Sequence, residues 1–181
     1  MNQPTYPFSP YRDCLGAHFA DMPLALQHFH AAPGDFVVHG HIKLKGGSNP
    51  LACLVAWLMG APTSDVEGSF RFERTLQDDC EIWTRQFPGS RFRSTIRARG
   101  HLLIESMGLF SATSRVVWAS PRLSLKLTGV RFLGLPVPTM LLPRLIADEW
   151  AEGNRLCFNI DTTAPLVGRF FAYSGHLEIA A

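Results

Sequence analysis

The feature that most constrains the fold is a series of alternating segments between residues 66 and 132, separated by very short turn sequences. Apolar and polar residues that alternate with period two are typical of strands that bury one face. The turns at 78–79 and 88–90 are rich in Asp, Pro and Gly, and they are short enough to join hairpins. The segments therefore predict an antiparallel meander.

Further segments with the same character extend the sheet on both sides. Segment 35–45 places Phe36, Val38, Ile42 and Leu44 on one face and His39 and His41 on the other. The predicted strands are 35–45, 66–76, 81–87, 91–99, 101–106, 111–119, 122–132, 155–162 and 170–180. Long antiparallel sheets expose two edges unless they curl or close. We therefore predict an α+β, mostly antiparallel β fold: a strongly curved sheet or barrel of about eight or nine strands, lipocalin-like or helix-grip-like.

Two helical segments accompany the strands. Residues 1–12 are expected to form an extended lead-in, and 13–181 a single β-rich domain. Apolar residues at three- and four-residue spacing predict an N-terminal helix from Asp13, broken near Pro23. Asn49 and Pro50 predict the start of a second, almost wholly apolar helix that Gly60 ends.

Composition limits the partners. Only 18% of residues are charged, against about 25% in typical soluble domains, and the net charge is +2. A dense basic surface for nucleic acid is therefore not expected. No apolar run reaches the roughly 20 residues of a transmembrane helix, but peripheral membrane contact stays open. The four cysteines are scattered and the first residues do not resemble a signal peptide, so we expect a cytoplasmic protein with reduced thiols.

Several stretches resemble a family known as domain of unknown function 4166. They are NPLACLVAWLMGAP (49–62), EIWTRQFPGSRFRS (81–94), LLIESMG (102–108), RFLGLPVPTMLLP (131–143) and RLCFNIDTTAPLVGRFFAYSGHLE (155–178). Relatives are commonly fused to the C-terminus of saccharopine-dehydrogenase-like reductase domains. The resemblance implies no activity, but it implies work beside a reductase. Because the sequence lacks a GxGxxG motif, such a partner would be a separate reductase-type protein.

A ligand site is predicted on one parity of segment 81–87. Glu81, Trp83 and Arg85 share this face, and an inward orientation would require the two charges to pair. Such a pair, with Tyr173, could anchor a ligand's polar head, while Trp83 and Phe92 form an apolar wall. The alternative is a salt bridge on a solvated face, with Trp83 covering the core edge.

Reaction chemistry has weaker support in the sequence. His39 and His41 could present two imidazoles to a metal, but a third ligand such as His101 or His176 would be needed. Glu105 and Glu149 are isolated carboxylates, and no nucleophile motif accompanies them. We therefore expect no cofactor and favour a non-catalytic protein, although an enzyme is not excluded.

Three functions follow from these patterns. The preferred one is binding of a small hydrophobic or lipid-like ligand in a β-sheet cavity, covered by the apolar helix. The first alternative is an accessory module that docks on a reductase-type partner through the apolar loop 133–145, which could be buried or exposed. The second alternative is a metal-dependent enzyme that uses His39 and His41.

Overall fold

The computed structural model describes residues 8–179. It contains three α-helices, α1 Pro10–Leu15, α2 Leu24–Ala31 and α3 Pro50–Leu58, and 3-10 helices at Gly16–Asp21 and Thr139–Leu141. The strands are β1 Phe36–Lys45, β2 Val66–Gln77, β3 Cys80–Phe87, β4 Ser90–Arg99, β5 Leu102–Met107, β6 Phe110–Ala119, β7 Arg122–Phe132, β8 Leu135–Pro136, β9 Arg144–Glu152, β10 Arg155–Ala164 and β11 Gly168–Glu178.

The strands form a closed antiparallel barrel. Their order in the sheet is β6-β5-β4-β3-β2-β1-β11-β10-β9-β7-β8, and an additional β6–β7 pairing closes the ring. Ten strands make up the barrel, because β8 is a two-residue extension that pairs only with β7. Among the barrel strands, closure leaves a long unpaired edge only where β7 and β9 separate towards the α3 end. The predicted curved sheet or barrel is therefore confirmed in outline, with more strands than the eight or nine expected.

Besides the two-residue β8, the observed strand that the sequence did not predict is β9. Its inward-facing parity is Leu145, Ala147, Glu149 and Ala151, which includes a carboxylate. A charged residue in the apolar row weakens the period-two signal on which strand prediction depends. The other strands were predicted within about two residues, which is the usual precision for element ends.

The barrel has two different ends. At the helix-plugged end, α1 and α2 fill the interior, and the buried Arg74 of β2 donates hydrogen bonds to the carbonyls of Phe29, Ala32 and Gly34. At the opposite end, which we call the α3 end, α3 lies across the turns that follow β5 and β10. The core between them is a continuous cluster of aromatic and aliphatic side chains.

The N-terminal prediction needs one correction. The chain is helical from Pro10, so residues 10–12 are not extended, and the N-cap is Ser9 and not Asp13, because the Ser9 hydroxyl accepts a hydrogen bond from the Arg12 amide. Residues 1–7 of the predicted lead-in lie outside the described residues. The expected interruption at Pro23 is present, since it separates the 3-10 helix from α2.

The apolar helix was predicted correctly. Its N-cap is Asn49, whose side-chain oxygen accepts a hydrogen bond of 3.0 Å from the Ala52 amide, and Pro50 follows at the first helical position. Its small residues Ala52 and Ala56 are buried against the barrel, while Trp57 is exposed. None of the described helices is both long and apolar enough to cross a membrane.

Candidate binding cavity

An apolar cavity of about 230 Å³ lies inside the barrel and reaches the α3 end. Its walls are inward-facing residues of the strands, among them Phe92, Leu103, Leu125 and Phe171. Val55 of α3 and Met59, which follows the helix, cover one side. An apolar cavity of about 150 Å³ is sufficient to bind benzene in a protein core, so this space can accept a small apolar molecule.

The cavity is flanked by the weakest seam of the barrel. Strands β7 and β9 pair at only two positions, Leu123 with Glu149 and Ser124 with Asp148, both towards the helix-plugged end. Towards the α3 end, the segment 133–143 lies between these strands, and its residues Val137 and Leu141 line the cavity. The apolar loop 133–145 is therefore neither fully buried nor fully exposed. Val137 faces the cavity, whereas Leu135 and Met140 are exposed.

A smaller chamber of about 90 Å³ lies deeper, towards the helix-plugged end, and its largely aromatic and aliphatic lining includes three charged residues, Arg85, Glu105 and Glu149. Glu105, Tyr173 and Ile160 line both spaces, so the two chambers are adjacent. Tyr11 of α1 and Glu149 of β9 also line the deeper chamber. The interior is therefore almost wholly apolar near the α3 end, whereas most of its charged groups lie at depth.

Arg85 is the cationic group of the deeper chamber. Its guanidinium donates a hydrogen bond of 2.9 Å to the Ser94 hydroxyl and one of 3.2 Å to a carboxylate oxygen of Glu105. It also lies over the rings of Trp83 and Phe92, at 5.2 and 5.1 Å from their centroids. These contacts neutralise the buried charge and hold it in one orientation.

Two phenols complete the polar wall. Burial raises the pKa of Tyr173 to about 12, and the nearby Arg85 guanidinium opposes that effect. Burial, reinforced by the Glu149 carboxylate, raises the pKa of Tyr11 well above its ordinary value. Both side chains are therefore neutral hydroxyls near neutral pH, and each can donate one hydrogen bond.

The predicted pairing of Glu81 with Arg85 is wrong. Glu81 is fully buried, where it lies 3.5 Å from Arg74 and accepts a hydrogen bond of 2.7 Å from the Trp83 indole. Both residues point inward from β3, but three residues separate them along the strand, and their partners come from different strands, Arg74 from β2 and Glu105 from β5. Of the predicted ligand-binding residues, Phe92 lines the cavity, Trp83 and Arg85 line the deeper chamber, Tyr173 lines both, and Glu81 lies outside both linings.

Sequence reasoning missed the contact between His30 and Glu149. The His30 Nε2 atom lies 2.7 Å from a Glu149 carboxylate oxygen, the histidine is fully buried, and its ring stacks on Tyr11 at 3.8 Å between centroids. The sequence separation of 119 residues leaves no local signal that could have joined the two groups. In the sequence, Glu149 is an isolated carboxylate.

The histidines proposed for a metal do not form a site. His39 and His41 lie on the exposed outer face of β1, and His41 is near Glu67 at 3.7 Å. Within residues 8–179, no group of three His, Cys, Asp or Glu side chains is arranged to hold a metal ion. The geometry therefore does not support the metal-enzyme hypothesis.

A closed antiparallel barrel with an internal cavity defines a class of protein that can hold one small ligand among its strands. Residues 22–177 match the family described as domain of unknown function (DUF4166), and the chain belongs to that family. It is also similar to Rv2717c from M. tuberculosis, known from a crystal structure, with a TM-score of 0.44 and 12% identity over 89% of this chain and 100% of that chain. No curated protein matches the sequence significantly.

Proposed function

We propose that this barrel binds an elongated, mainly apolar small molecule whose polar head reaches the deeper chamber. The observation that carries the proposal is the interior itself, in which an apolar cavity leads to Arg85, Glu105 and two phenols. Such a combination of a mostly apolar wall and a few convergent polar groups is typical of small-molecule sites. The absence of a nucleophile motif from the sequence favours binding over catalysis.

The charges of the deeper chamber favour an uncharged head. Arg85 is already paired with Glu105, and Glu149 adds a second carboxylate beside His30. A ligand carboxylate would therefore meet two like charges and no unpaired cation. A hydroxyl head could instead accept from the Tyr11 and Tyr173 phenols and donate to a carboxylate oxygen.

Filling the cavity tests the proposal directly. Ala112 of β6 lines the cavity, so A112F should place a phenyl ring in the space that the ligand requires. The probe is N-phenylnaphthylamine, an uncharged apolar molecule whose fluorescence increases on binding. We expect the apparent affinity of A112F for this probe to be lower than that of the wild type by at least about tenfold.

The matched control is A119F on the same strand, because Ala119 is exposed. This variant should bind the probe like the wild type. Equal probe binding by A112F, or no binding by the wild type together with an empty cavity in native mass spectrometry, would contradict the proposed function.

A further inference from the structure

The α3 end carries an unusual amount of exposed apolar surface. Nine of the twelve large apolar side chains that are exposed in residues 8–179 lie there: three on α3, four in the segment 133–141, and one in each of the turns after β5 and β10. We call these nine side chains the apolar rim. Trp57 is 67% exposed, Met140 81% and Leu166 90%. Large contiguous apolar patches on a protein surface mark contact sites.

Backbone contacts join the segments of the apolar rim into one surface. The Leu109 amide donates to the Leu58 carbonyl at 3.1 Å, and the Leu133 amide donates to the Leu109 carbonyl at 2.9 Å. At the other end of α3, the Asn49 side chain donates to the Val167 carbonyl at 2.8 Å. The segments that carry the rim residues are therefore neighbours, and Val55, Leu141 and Val167 from these segments line the cavity where it reaches the α3 end.

Two rim leucines occupy backbone conformations that favour other residues. Leu133 has φ +50° in the two-residue turn between β7 and β8, and Leu166 has φ +64° in the turn between β10 and β11. Glycine or asparagine is the usual residue at such positions. An exposed leucine there gains nothing from packing within the chain, so its apolar side chain is explained better by an external contact.

The exposed charges around the apolar rim are mainly basic. In the connections at the α3 end, which are 46–65, 88–89, 108–109, 133–143 and 165–167, the one carboxylate is Asp65, which lies 2.7 Å from the Lys45 ammonium, whereas Asp35, Asp78 and Asp79 lie in connections at the helix-plugged end. Arg91, Arg131 and Arg144 are exposed at the α3 end. No carboxylate within residues 8–179 forms an ion pair with any of these three arginines.

We propose that the apolar rim docks the barrel on the surface of an anionic lipid bilayer, with the α3 end facing the membrane. Apolar side chains would enter the headgroup region, and the surrounding arginines would contact acidic lipids. A second copy of the chain fits less well, because a symmetric dimer would bring the same unpaired arginines together. The proposal goes beyond ligand binding and does not depend on it.

Vesicle co-sedimentation of the full chain tests the proposal. We expect the wild type to bind phosphatidylcholine vesicles that contain phosphatidylglycerol, to bind pure phosphatidylcholine vesicles more weakly, and to lose binding as salt is raised. The double variant L133N/L166N removes two rim leucines. Its partitioning should fall by at least about tenfold, as expected for the loss of leucine-sized anchors.

Two controls separate docking from folding and from general charge effects. Asparagine suits a left-handed backbone, so L133N/L166N should melt no earlier than the wild type, and L24N, which changes an exposed leucine on α2, should bind vesicles normally. R144E should weaken binding to the anionic vesicles. R99E, at the helix-plugged end, should weaken it less.

Several outcomes would overturn the proposal. They are a failure of the wild type to bind either vesicle, equal binding by L133N/L166N, and a dimer in sedimentation velocity that L133N/L166N dissociates. Probe binding by A112F and the wild type is measured without vesicles, so failure of the membrane proposal is distinguishable from failure of the proposed ligand site.

Discussion

Arg85 and Arg74 are both buried on the inner face of neighbouring strands, but each has its own carboxylate. Arg74 lies 3.5 Å from Glu81, and both side chains are fully shielded from solvent. Arg85 lies 3.2 Å from Glu105, whose side chain is 21% exposed towards the cavity. Removing one member of a buried ion pair typically costs about 3–5 kcal/mol. Breaking the first pair should therefore destabilise the fold, whereas the second pair, in the proposed ligand site, would influence what the cavity accepts.

Neutralising Glu105 should change the preferred head of the ligand. In E105Q the side-chain amide can still accept a hydrogen bond from Arg85, but the guanidinium no longer has a charged partner. A ligand carboxylate could then pair with Arg85, so competition by a long-chain fatty acid against N-phenylnaphthylamine should improve by about tenfold relative to the corresponding alcohol. Unchanged relative competition by acid and alcohol would show that the Glu105 charge does not select the head.

Glu81 should make the stability depend on pH. Burial raises its pKa above the ordinary 4.5, against the opposing effects of Arg74 and the Trp83 hydrogen bond. The folded protein therefore holds this proton more tightly than the unfolded chain, and protonation favours the fold. The free energy of unfolding should fall as the pH rises from 4.5 through the raised pKa. Each pKa unit between the folded and the unfolded state corresponds to about 1.4 kcal/mol in the free energy of unfolding.

Urea unfolding of E81Q across a pH series measures this effect. The decrease should be absent in E81Q and retained in E67Q, since Glu67 is exposed on the outer face. A decrease of the same size in both variants and the wild type would assign it to other groups.

At the scale of elements, α3 is held against the barrel by a glycine contact. Gly108 in the turn between β5 and β6 lies so close to α3 that a Cβ atom would come within 2.3 Å of the Leu58 carbonyl oxygen. Gly100 occupies the equivalent place in the turn between β4 and β5, also with positive φ, but nothing lies within 4 Å of its Cβ position. The two glycines have the same backbone requirement and differ in the contact alone.

Alanine at each glycine should separate those two effects. G100A should cost about 1 kcal/mol from the left-handed backbone alone. G108A should cost a further 1–3 kcal/mol, roughly the range for overpacking, because α3 must move away. Chemical denaturation gives both values, and hydrogen exchange should show faster exchange in α3 only for G108A. An equal decrease in the free energy of unfolding in both variants would mean that α3 moves away from the added methyl group without loss of stability.

For the whole molecule, the sequence was informative wherever burial follows a local period. Alternation predicted β1 and β10 and the faces of β4, with Phe92 and Ile96 buried and Arg91 and Arg97 exposed. The cap at Asn49 predicted the start of α3. Local chemistry determines these features, so a single sequence can reveal them.

The features that the sequence did not predict depend on long-range pairing. The partners of Arg85 and Glu81 lie on β5 and β2, and the contact between His30 and Glu149 joins a helix to a distant strand. Closure depends on β7 pairing with both β6 and β9. No period along the chain records which strands become neighbours, so the sequence could suggest an internal cavity with Arg85 and Tyr173 in its lining but not the partners of the buried charged groups.

The short β7–β9 pairing has one more consequence. Strands β7 and β9 pair at only two positions, whereas the other neighbouring strands of the ring form long ladders. We expect these two strands to separate more easily than the others, which would widen the barrel at this place. Ligands of different width could then be accommodated by a change in the distance between β7 and β9. We therefore expect the protein to be tolerant of ligand bulk and strict about ligand chemistry.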